Sequence, residues 1–420
     1  MTAPDTHRAI EAVWRIESAR LTAGVARVLR DVGIAEELAQ DALVAALEQW
    51  PTSGIPKNPG AWLMTTAKRR AIDLVRRNAR LEDRQGALER DFEDRQERTT
   101  ADFDAVEEDV GDDLLRLVFT ACHPVLNAEA RTALTLRLLG GLSTAEIARA
   151  FLASESTIAQ RIVRAKRTLA EAHVPYEVPT GDDLHARLAS VLEVIYLVFN
   201  EGYSATAGDD WMRPALCEDA LRLGRILAEL MPREAEVHGL VALMEIQASR
   251  MRARTDAAGE PVLLLEQNRG RWDHLLIQRG LAALARAEAL GAAHGPYTLQ
   301  AALAACHARA RAAEETDWAR IVALYDELGE IGPSPVVALN RSVAVGMASG
   351  PAAGLAAVDA LREEPALRGY HLLPTVRGDL LAKLGRLDEA REEFERAAAL
   401  THNARERALL LGRARQAAGG

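Results

Sequence analysis

Aromatic side chains are scarce in this sequence, making up 4% of its 420 residues. Runs with strict alternation of β-branched and polar residues are nearly absent as well, which leaves little from which to build a sheet. Cysteine is rarer still. Cys122, Cys217 and Cys306 stand far apart, without a Cys-x-x-Cys pair or the spacing of metal ligands, so neither a disulfide framework nor a zinc site is suggested, and buried free thiols are expected. No metal and no cofactor is implied. No apolar run approaches the length of a membrane span, and the opening Met-Thr-Ala-Pro-Asp-Thr-His-Arg lacks a basic-then-apolar signal, so a soluble, cytoplasmic chain without membrane contact is expected. An excess of positive charge is the remaining absence: 51 Lys and Arg face 61 Asp and Glu, for a formal charge of -10. Nonspecific affinity for nucleic acid comes from neutralising phosphates, so any such contact must be local. Alanine, leucine and arginine are plentiful, and these helix formers make the expected fold class all-α. The length exceeds the size at which a single core stops growing, so two or three domains are expected.

The most informative stretch runs from Leu142 to Leu169. Ser143 and Glu146 have the Ser-x-x-Glu spacing of a capping box, which starts a helix at Thr144. That helix is short, ending around Phe151, Leu152 and Ala153, and Ser154 is placed to cap a second one with Thr157 at its third position. On the second helix Ile158, Ile162, Ala165 and Leu169 form one apolar stripe, while Gln160, Arg161, Arg164 and Arg167 project elsewhere. Arginine forks suit guanine edges and phosphates, and glutamine suits adenine, so the pattern reads as a helix-turn-helix that enters a major groove.

Charge divides the remainder. From Pro59 to Arg80 the basic residues Lys68, Arg69, Arg70, Arg76, Arg77 and Arg80 face a single Asp73, whereas acids dominate from Glu82 to Asp113. The acidic stretch has few large apolar residues and reads as a partly helical or disordered connector. Helical order resumes at Asp113, passes His123-Pro124, and reaches the helix-turn-helix after Gly140-Gly141. Pro175 and Pro179-Thr180-Gly181 make the next break, and the tail beyond is a succession of helices. Leu372 to Leu400 looks like a tetratricopeptide repeat, two helices joined at Leu384-Gly385; because such repeats bury their faces only by stacking, Trp318 to Leu328 and Pro335 to Met347 are read as degenerate neighbours. The expected domains are thus 1–80, an acidic linker 81–112, 113–174 and a helical repeat-like domain 180–420. Three polar clusters within the tail, Asn200-Glu201-Gly202-Tyr203, Trp272-Asp273-His274 and Cys306-His307, are assigned to caps and core packing, because adjacent helical residues do not face each other and no third orienting residue is evident.

The first module sets an acidic helix before a basic one. Ala35 to Leu47 forms an amphipathic helix with Leu38, Ala42 and Ala45 on one side and its acids exposed, followed by Trp50-Pro51 and a loop that ends at Asn58-Pro59-Gly60. The next helix carries Trp62, Leu63, Ala67, Ile72 and Leu74, with Trp62 expected in the core. In this order the modules resemble the extracytoplasmic-function sigma factors of bacterial RNA polymerase. The segment from Glu36 to Asp41 is similar to the family's second-region helix, and Pro59 to Leu63 through Ala71 to Arg77 is similar to the helix after it, with its Trp-Leu pair and Asp-x-x-Arg-Arg ending. The resemblance implies that Glu36, Glu37, Gln40 and Asp41 dock on the clamp helices of the polymerase β′ subunit. It implies that Lys57 and Asn58 in the loop, with Lys68, Arg69, Arg76 and Arg77 on the helix, engage the minus-ten promoter element. The helix-turn-helix resembles the fourth region, which reads the minus-thirty-five element beside the β flap, and this carries over to Thr157, Gln160, Arg161 and Arg164. Ala159 stands where many members have lysine, and Thr65 and Arg69 stand where the family varies, so no promoter sequence is inherited. The tail is similar to that of a subgroup with a C-terminal tetratricopeptide-like extension, expected to regulate or to recruit a partner protein.

The resulting expectation is a sigma factor, not an enzyme, with core polymerase and promoter DNA as partners. The alternative is a helix-turn-helix regulator with a repeat interaction domain, acting as a dimer on operator DNA without polymerase. A hydrolase built around His307 or His274 lacks a nucleophile–base pattern.

Overall fold

Eighteen α-helices and a few 3-10 turns make up the architecture of the computed structural model, which describes residues 3–83, 110–151, 153–204, 212–257, 260–291 and 293–418. No β-strand occurs among the described residues, only an isolated bridge between Thr255 and Pro261. The acidic connector expected at 81–112 falls mostly outside the described residues, as does Leu152. The chain divides into two compact units, Met1–Leu197 and Val198–Gly420.

The first unit begins with α1 (Ala3–Leu29), α2 (Val32–Ser53) and α3 (Pro59–Asp83). Asp31 starts α2 by accepting the Ile34 N–H at 2.9 Å. Alanines line the buried sides of both α1 and α2, including Ala19, Ala23 and Ala26 on the first and Ala35, Ala39, Ala42 and Ala46 on the second, and the two helices pack closely along their length. The helix expected over Ala35 to Leu47 continues through Trp50 and Pro51 to Ser53. Proline forfeits one N–H bond, but the Thr52 and Ser53 hydroxyls each donate to the Gln49 carbonyl at 2.9 Å, and the Gly54 N–H closes on the Trp50 carbonyl at 3.0 Å. The last turn therefore survives. Trp50 is buried and receives the edge of Trp62 at 5.3 Å, so Trp62 packs as expected, although it is only half-buried.

Four further helices follow: α4 (Val110–Ala121), α5 (Ala128–Leu138), α6 (Thr144–Ala150) and α7 (Glu155–Glu171). Helix α1 packs against α4 and α5 as well as against α2 and α3, so the two expected N-terminal modules share one compact unit. The segment after α7 reaches back to α1 and α4. The Tyr176 hydroxyl lies 3.1 Å from the Ala23 carbonyl on α1 and 3.0 Å from the Asp113 carbonyl on α4. Helix α8 (Gly181–Tyr203) then begins within the first unit, where Arg187 donates to the Phe119 carbonyl and Ser190 to the Cys122 carbonyl.

The second unit continues with α9 (Pro214–Leu230), α10 (Ala235–Ala248), α11 (His274–Ala289), α12 (Pro296–Arg309), α13 (Trp318–Ile331), α14 (Pro335–Ser349), α15 (Pro351–Asp359), α16 (Leu372–Lys383), α17 (Leu387–Leu400) and α18 (Ala404–Ala418). From α12 onward each helix packs against the next, the stacking expected of a repeat. Gly378 on α16 meets the Phe394 ring of α17 so closely that a Cβ would sit 2.9 Å from it, which gives the small-to-bulky fit of the repeat read at Leu372 to Leu400. A polar joint secures α10 to α12. The Glu236 carboxylate accepts the Tyr297 N–H at 2.8 Å, the Thr298 N–H at 3.1 Å and the Thr298 hydroxyl at 2.5 Å, so an acid from one helix caps the start of another. Cys122 and Cys217 are buried free thiols as expected, but Cys306 is only half-buried.

The joint at Glu236 requires close approach: a Cβ on Gly239 would lie 2.8 Å from the Thr298 backbone nitrogen. Gly239→Ala is expected to cost about 1–3 kcal/mol by overpacking, read as a lower urea midpoint of the full chain with an unchanged slope. An unchanged midpoint would show that α10 and α12 are not held by this contact.

Candidate nucleic-acid interface

The helix-turn-helix forms by the local rules its sequence carries. The Ser143 N–H donates to Glu146 Oε2 at 2.7 Å and the Glu146 N–H donates to Ser143 Oγ at 3.2 Å, the two reciprocal bonds of a capping box that starts α6. Burial alone would raise the Glu146 pKa, but the Ser143 hydrogen bonds and the Arg15 guanidinium at 2.9 Å hold it below the ordinary carboxylate value. Ser154 caps α7 by accepting the Thr157 N–H at 3.1 Å. Ile158, Ile162, Ala165 and Leu169 are all buried, as the stripe requires, while Thr157, Gln160 and Arg164 are exposed on one face. Arg161, spaced to join them, is half-buried and pairs with Glu129 on α5 at 2.5 Å. Glu129 is largely exposed, so this ion pair is weak and can be exchanged for a phosphate.

The second group of expected DNA contacts lies on and before α3. Lys57 and Asn58 are exposed, and the Asn58 side chain also starts the helix by accepting the Ala61 N–H at 3.1 Å. Arg69, Arg76 and Arg77 lie on the exposed stripe that also holds Ala61, Thr65 and Asp73, and Lys68 is half-buried. Arg76 stands 3.9 Å from Asp73. One face of α3 is therefore solvated and basic while Leu63, Ala67 and Ala71 are buried.

The acidic side of α2 departs from the expectation that its acids are exposed. Glu37 and Asp41 are exposed, and Asp41 pairs with Arg70 of α3 at 2.8 Å. Glu36, by contrast, is 7% exposed. Its carboxylate accepts Arg137 Nε of α5 at 2.8 Å and the Lys166 ammonium of α7, and Gln40 donates to it from one turn further along α2. Arg137 also reaches the Leu142 carbonyl at 3.1 Å, just before α6. Burial on its own would raise the Glu36 pKa, and the Lys166 and Arg137 charges outweigh it, leaving the carboxyl below its ordinary value. Of the four residues expected on the polymerase-facing side, two are thus open and two belong to a buried ionic knot.

Comparison with known proteins gives these helices a family. The family described as Sigma-70 region 2 matches residues 16–81, and Sigma-70, region 4 matches residues 116–169. A family of unknown function (DUF6596) matches residues 187–288. The chain is 36% identical over 152 residues to the ECF RNA polymerase sigma factor SigK of Mycobacterium ulcerans (strain Agy99), a match covering 34% of this chain and 75% of that protein. SigK of Mycobacterium tuberculosis (strain ATCC 25618 / H37Rv) matches with the same identity and coverage. The chain belongs to the ECF RNA polymerase sigma factors. Its tail is shared too, since an uncharacterised protein R00370 of Rhizobium meliloti (strain 1021) is 46% identical over 389 residues, covering 91% of this chain and 90% of that protein.

In this sigma factor the region 2 helices α1 to α3 and the region 4 helices α5 to α7 meet across Glu36. Sequence reading missed the knot because its members are 36, 137 and 166 in the chain, and no periodicity relates them. A weak signal does exist: Glu36 adjoins the alanine-lined buried side of α2, and Lys166 lies beside Ala165 on the buried stripe of α7.

Breaking a buried pair by removing one charge costs about 3–5 kcal/mol, because its partners are left uncompensated. Glu36→Gln is therefore expected to loosen the first unit, read as faster limited proteolysis and a lower urea midpoint near neutral pH. A lowered carboxyl pKa contributes stability above its unfolded value, and that contribution is lost as pH falls through the folded value. The gap between wild type and Glu36→Gln should thus hold above the ordinary carboxylate range and close below it; a gap that persists in acid would refute the ionic account.

Proposed function

We propose that this sigma factor grips promoter DNA at two places, with α3 and its preceding loop at the minus-ten element and α7 at the minus-thirty-five element. The exposed side of α2 docks on the clamp helices of β′, and the helix-turn-helix lies by the β flap. The observation that carries this reading is the division of α7 into a fully buried apolar stripe and an exposed face bearing Thr157, Gln160 and Arg164. Each contact is modest, and a chain of net charge -10 repels free DNA. Core polymerase supplies the missing affinity, because holding both modules on one body raises their effective concentration at the promoter. Phosphate contacts from Lys57, Lys68, Arg69, Arg76 and Arg77 set position, and Gln160, Arg161 and Arg164 read bases.

The Glu36 knot adds a condition. With Arg137 and Lys166 on Glu36, regions 2 and 4 are tied together within one unit. We read this as the polymerase-free state, and two promoter elements are engaged only after the knot opens. The tail has no covalent chemistry assigned to it and serves as a regulatory surface, as helical repeats offer area rather than reactive groups. The sigma factor acts in the cytoplasm, where core polymerase resides; among the described residues no helix is long and apolar enough to cross a membrane.

Run-off transcription with purified core polymerase tests the assignment. Gln160→Ala and Arg164→Ala should each lower promoter-dependent output by about tenfold, the scale of one lost base contact, with core binding unchanged. Asp41→Lys should weaken core binding instead. If Asp41→Lys bound core as wild type does, the docking assignment would fall; tight binding to operator DNA without polymerase would favour the dimeric regulator.

A further inference from the structure

The second unit holds a cluster of positive charge that the promoter reading leaves unused. Three separate motifs, at Tyr203, Trp272 and His307, come together there around the loop between α10 and α11. Arg250, just after α10, is 9% exposed, and its guanidinium carbon lies 5.8 Å from the Tyr203 ring and 6.0 Å from the Trp272 ring. Arg269 stands over the other side of the site, 4.7 Å from the Trp272 ring. Among the described residues neither guanidinium forms an ion pair with a carboxylate. Arg269 does have a structural task, since it donates to the Ala310 carbonyl at 2.8 Å and to the His307 carbonyl beyond the end of α12. Among the described residues the Arg250 side chain has only its aromatic contacts, and its buried Nε lacks a hydrogen-bond partner.

Three more polar atoms share that condition. Trp272 Nε1, His307 Nδ1 and Gln267 Oε1 are buried without a partner, on side chains that are 4% exposed for Trp272 and 8% for Gln267. Burial, with Arg250 and Arg269 nearby, pushes the His307 pKa down to about 4, so the imidazole is neutral and adds no third positive charge, while Glu314 and Glu315 partly offset Arg269 but not Arg250. Burying a charge without a counter-ion is costly, and aromatic faces recover only part of the loss. Unpaired donors beside a buried guanidinium are groups that an oxyanion would complete. A protein partner would need this lining at the surface, whereas Arg250, Trp272 and Gln267 are at least nine-tenths buried. The occupant is therefore small.

We propose that Arg250, Arg269, Trp272 and His307 form a binding site for a small molecule bearing a phosphoryl or carboxylate group. The guanidinium of Arg250 grips the oxyanion, Trp272 N–H adds a neutral donor, and Gln267 Oε1 accepts from a hydroxyl or amine of the ligand. This goes beyond promoter recognition and makes the tail a ligand-binding module. The assay below reads binding itself, so its outcome does not depend on whether the tail regulates transcription.

Thermal unfolding of the full chain, with ionic strength held constant by sodium chloride, tests the site with two probes, inorganic phosphate and succinate. A ligand that binds the folded state raises the midpoint with concentration, and millimolar probe should raise it by several degrees. A response to phosphate alone identifies a phosphoryl ligand, and a response to succinate alone a carboxylate. Arg250→Gln should abolish the shift and, in chloride, unfold no lower than wild type, since it removes a buried unpaired charge. Arg250→Lys keeps the charge without the planar fork and should show a smaller shift, which covers the case in which Arg250→Gln fails to fold. Arg252→Gln, on the exposed neighbouring arginine, should keep the full shift. The absence of any shift in wild type, an undiminished shift in Arg250→Gln or Arg250→Lys, or its loss in Arg252→Gln would overturn the proposal.

Discussion

A single carboxylate from α2 is placed between an arginine of α5 and a lysine of α7, and much of the first unit is organised around that placement. Glu36 stands on a buried side of α2 that otherwise offers mostly alanine, with Val32, Leu38 and Trp50, to its neighbours. Apolar burial brings such surfaces together without fixing how they dock, whereas two cations reaching one carboxylate admit a single register. The cost of desolvating three charges makes the knot a poor source of net stability. Its value lies in specificity and in how it opens. Each partner regains hydration once water or another ligand reaches it, so a polar link between regions 2 and 4 separates more readily than an apolar one of the same extent.

That balance suits a protein that reads DNA only in company. Lys166 is on the same helix as Gln160 and Arg164, and Glu36 is on the same helix as Glu37 and Asp41. Opening the knot would therefore release a cation on the helix proposed to read the promoter and an anion on the helix proposed to dock on polymerase together. Both gains have the sign that the proposed partners need. The acidic chain disfavours lone attachment to DNA, and under the proposed reading the buried knot would keep the basic helix tied while the chain is free. Neither device requires a separate inhibitor.

The helix-turn-helix was legible almost to the residue because its determinants are local: one capping box, one Ser154 cap and a stripe repeating every three or four positions. Trp62 was legible as packing for the same reason, lying among apolar helical neighbours. The end of α2 was read too early, at Leu47, because the closing turn through Pro51 is held by geometry that composition does not announce, the Thr52 and Ser53 hydroxyls on the Gln49 carbonyl. Glu36 was misread because an acid on an amphipathic helix ordinarily faces water; only the later positions 137 and 166 bury it. The joint at Glu236 and the cluster at Arg250 were equally out of reach, since each joins residues separated by tens of positions. Sequence reading thus recovered the capped, striped helices of the helix-turn-helix and missed the charges that bind helices to one another.

The second unit makes the contrast within itself. Arg377 pairs with Asp359 at 2.7 Å and Glu393 at 2.9 Å, Arg225 pairs with Glu245 at 2.9 Å, and Arg413 reaches Asp379. Asp359 and Glu393 raise the Arg377 pKa despite its burial, the expected signature of a satisfied cation. The rule of this repeat is that an arginine drawn inward brings an acid with it. Among the described residues Arg250 has no such acid, and around it burial and the Arg250 charge shift Arg254 and Arg269 downward, opposed at Arg269 by Glu314 and Glu315. A chain with ten more formal negative than positive charges has acids to spare, so the lack of a carboxylate at Arg250 among the described residues is not a shortage. Sites at which a consistent design stops being self-sufficient are those where a ligand completes it, and in this tail the incomplete place is the one where Tyr203, Trp272 and His307 converge.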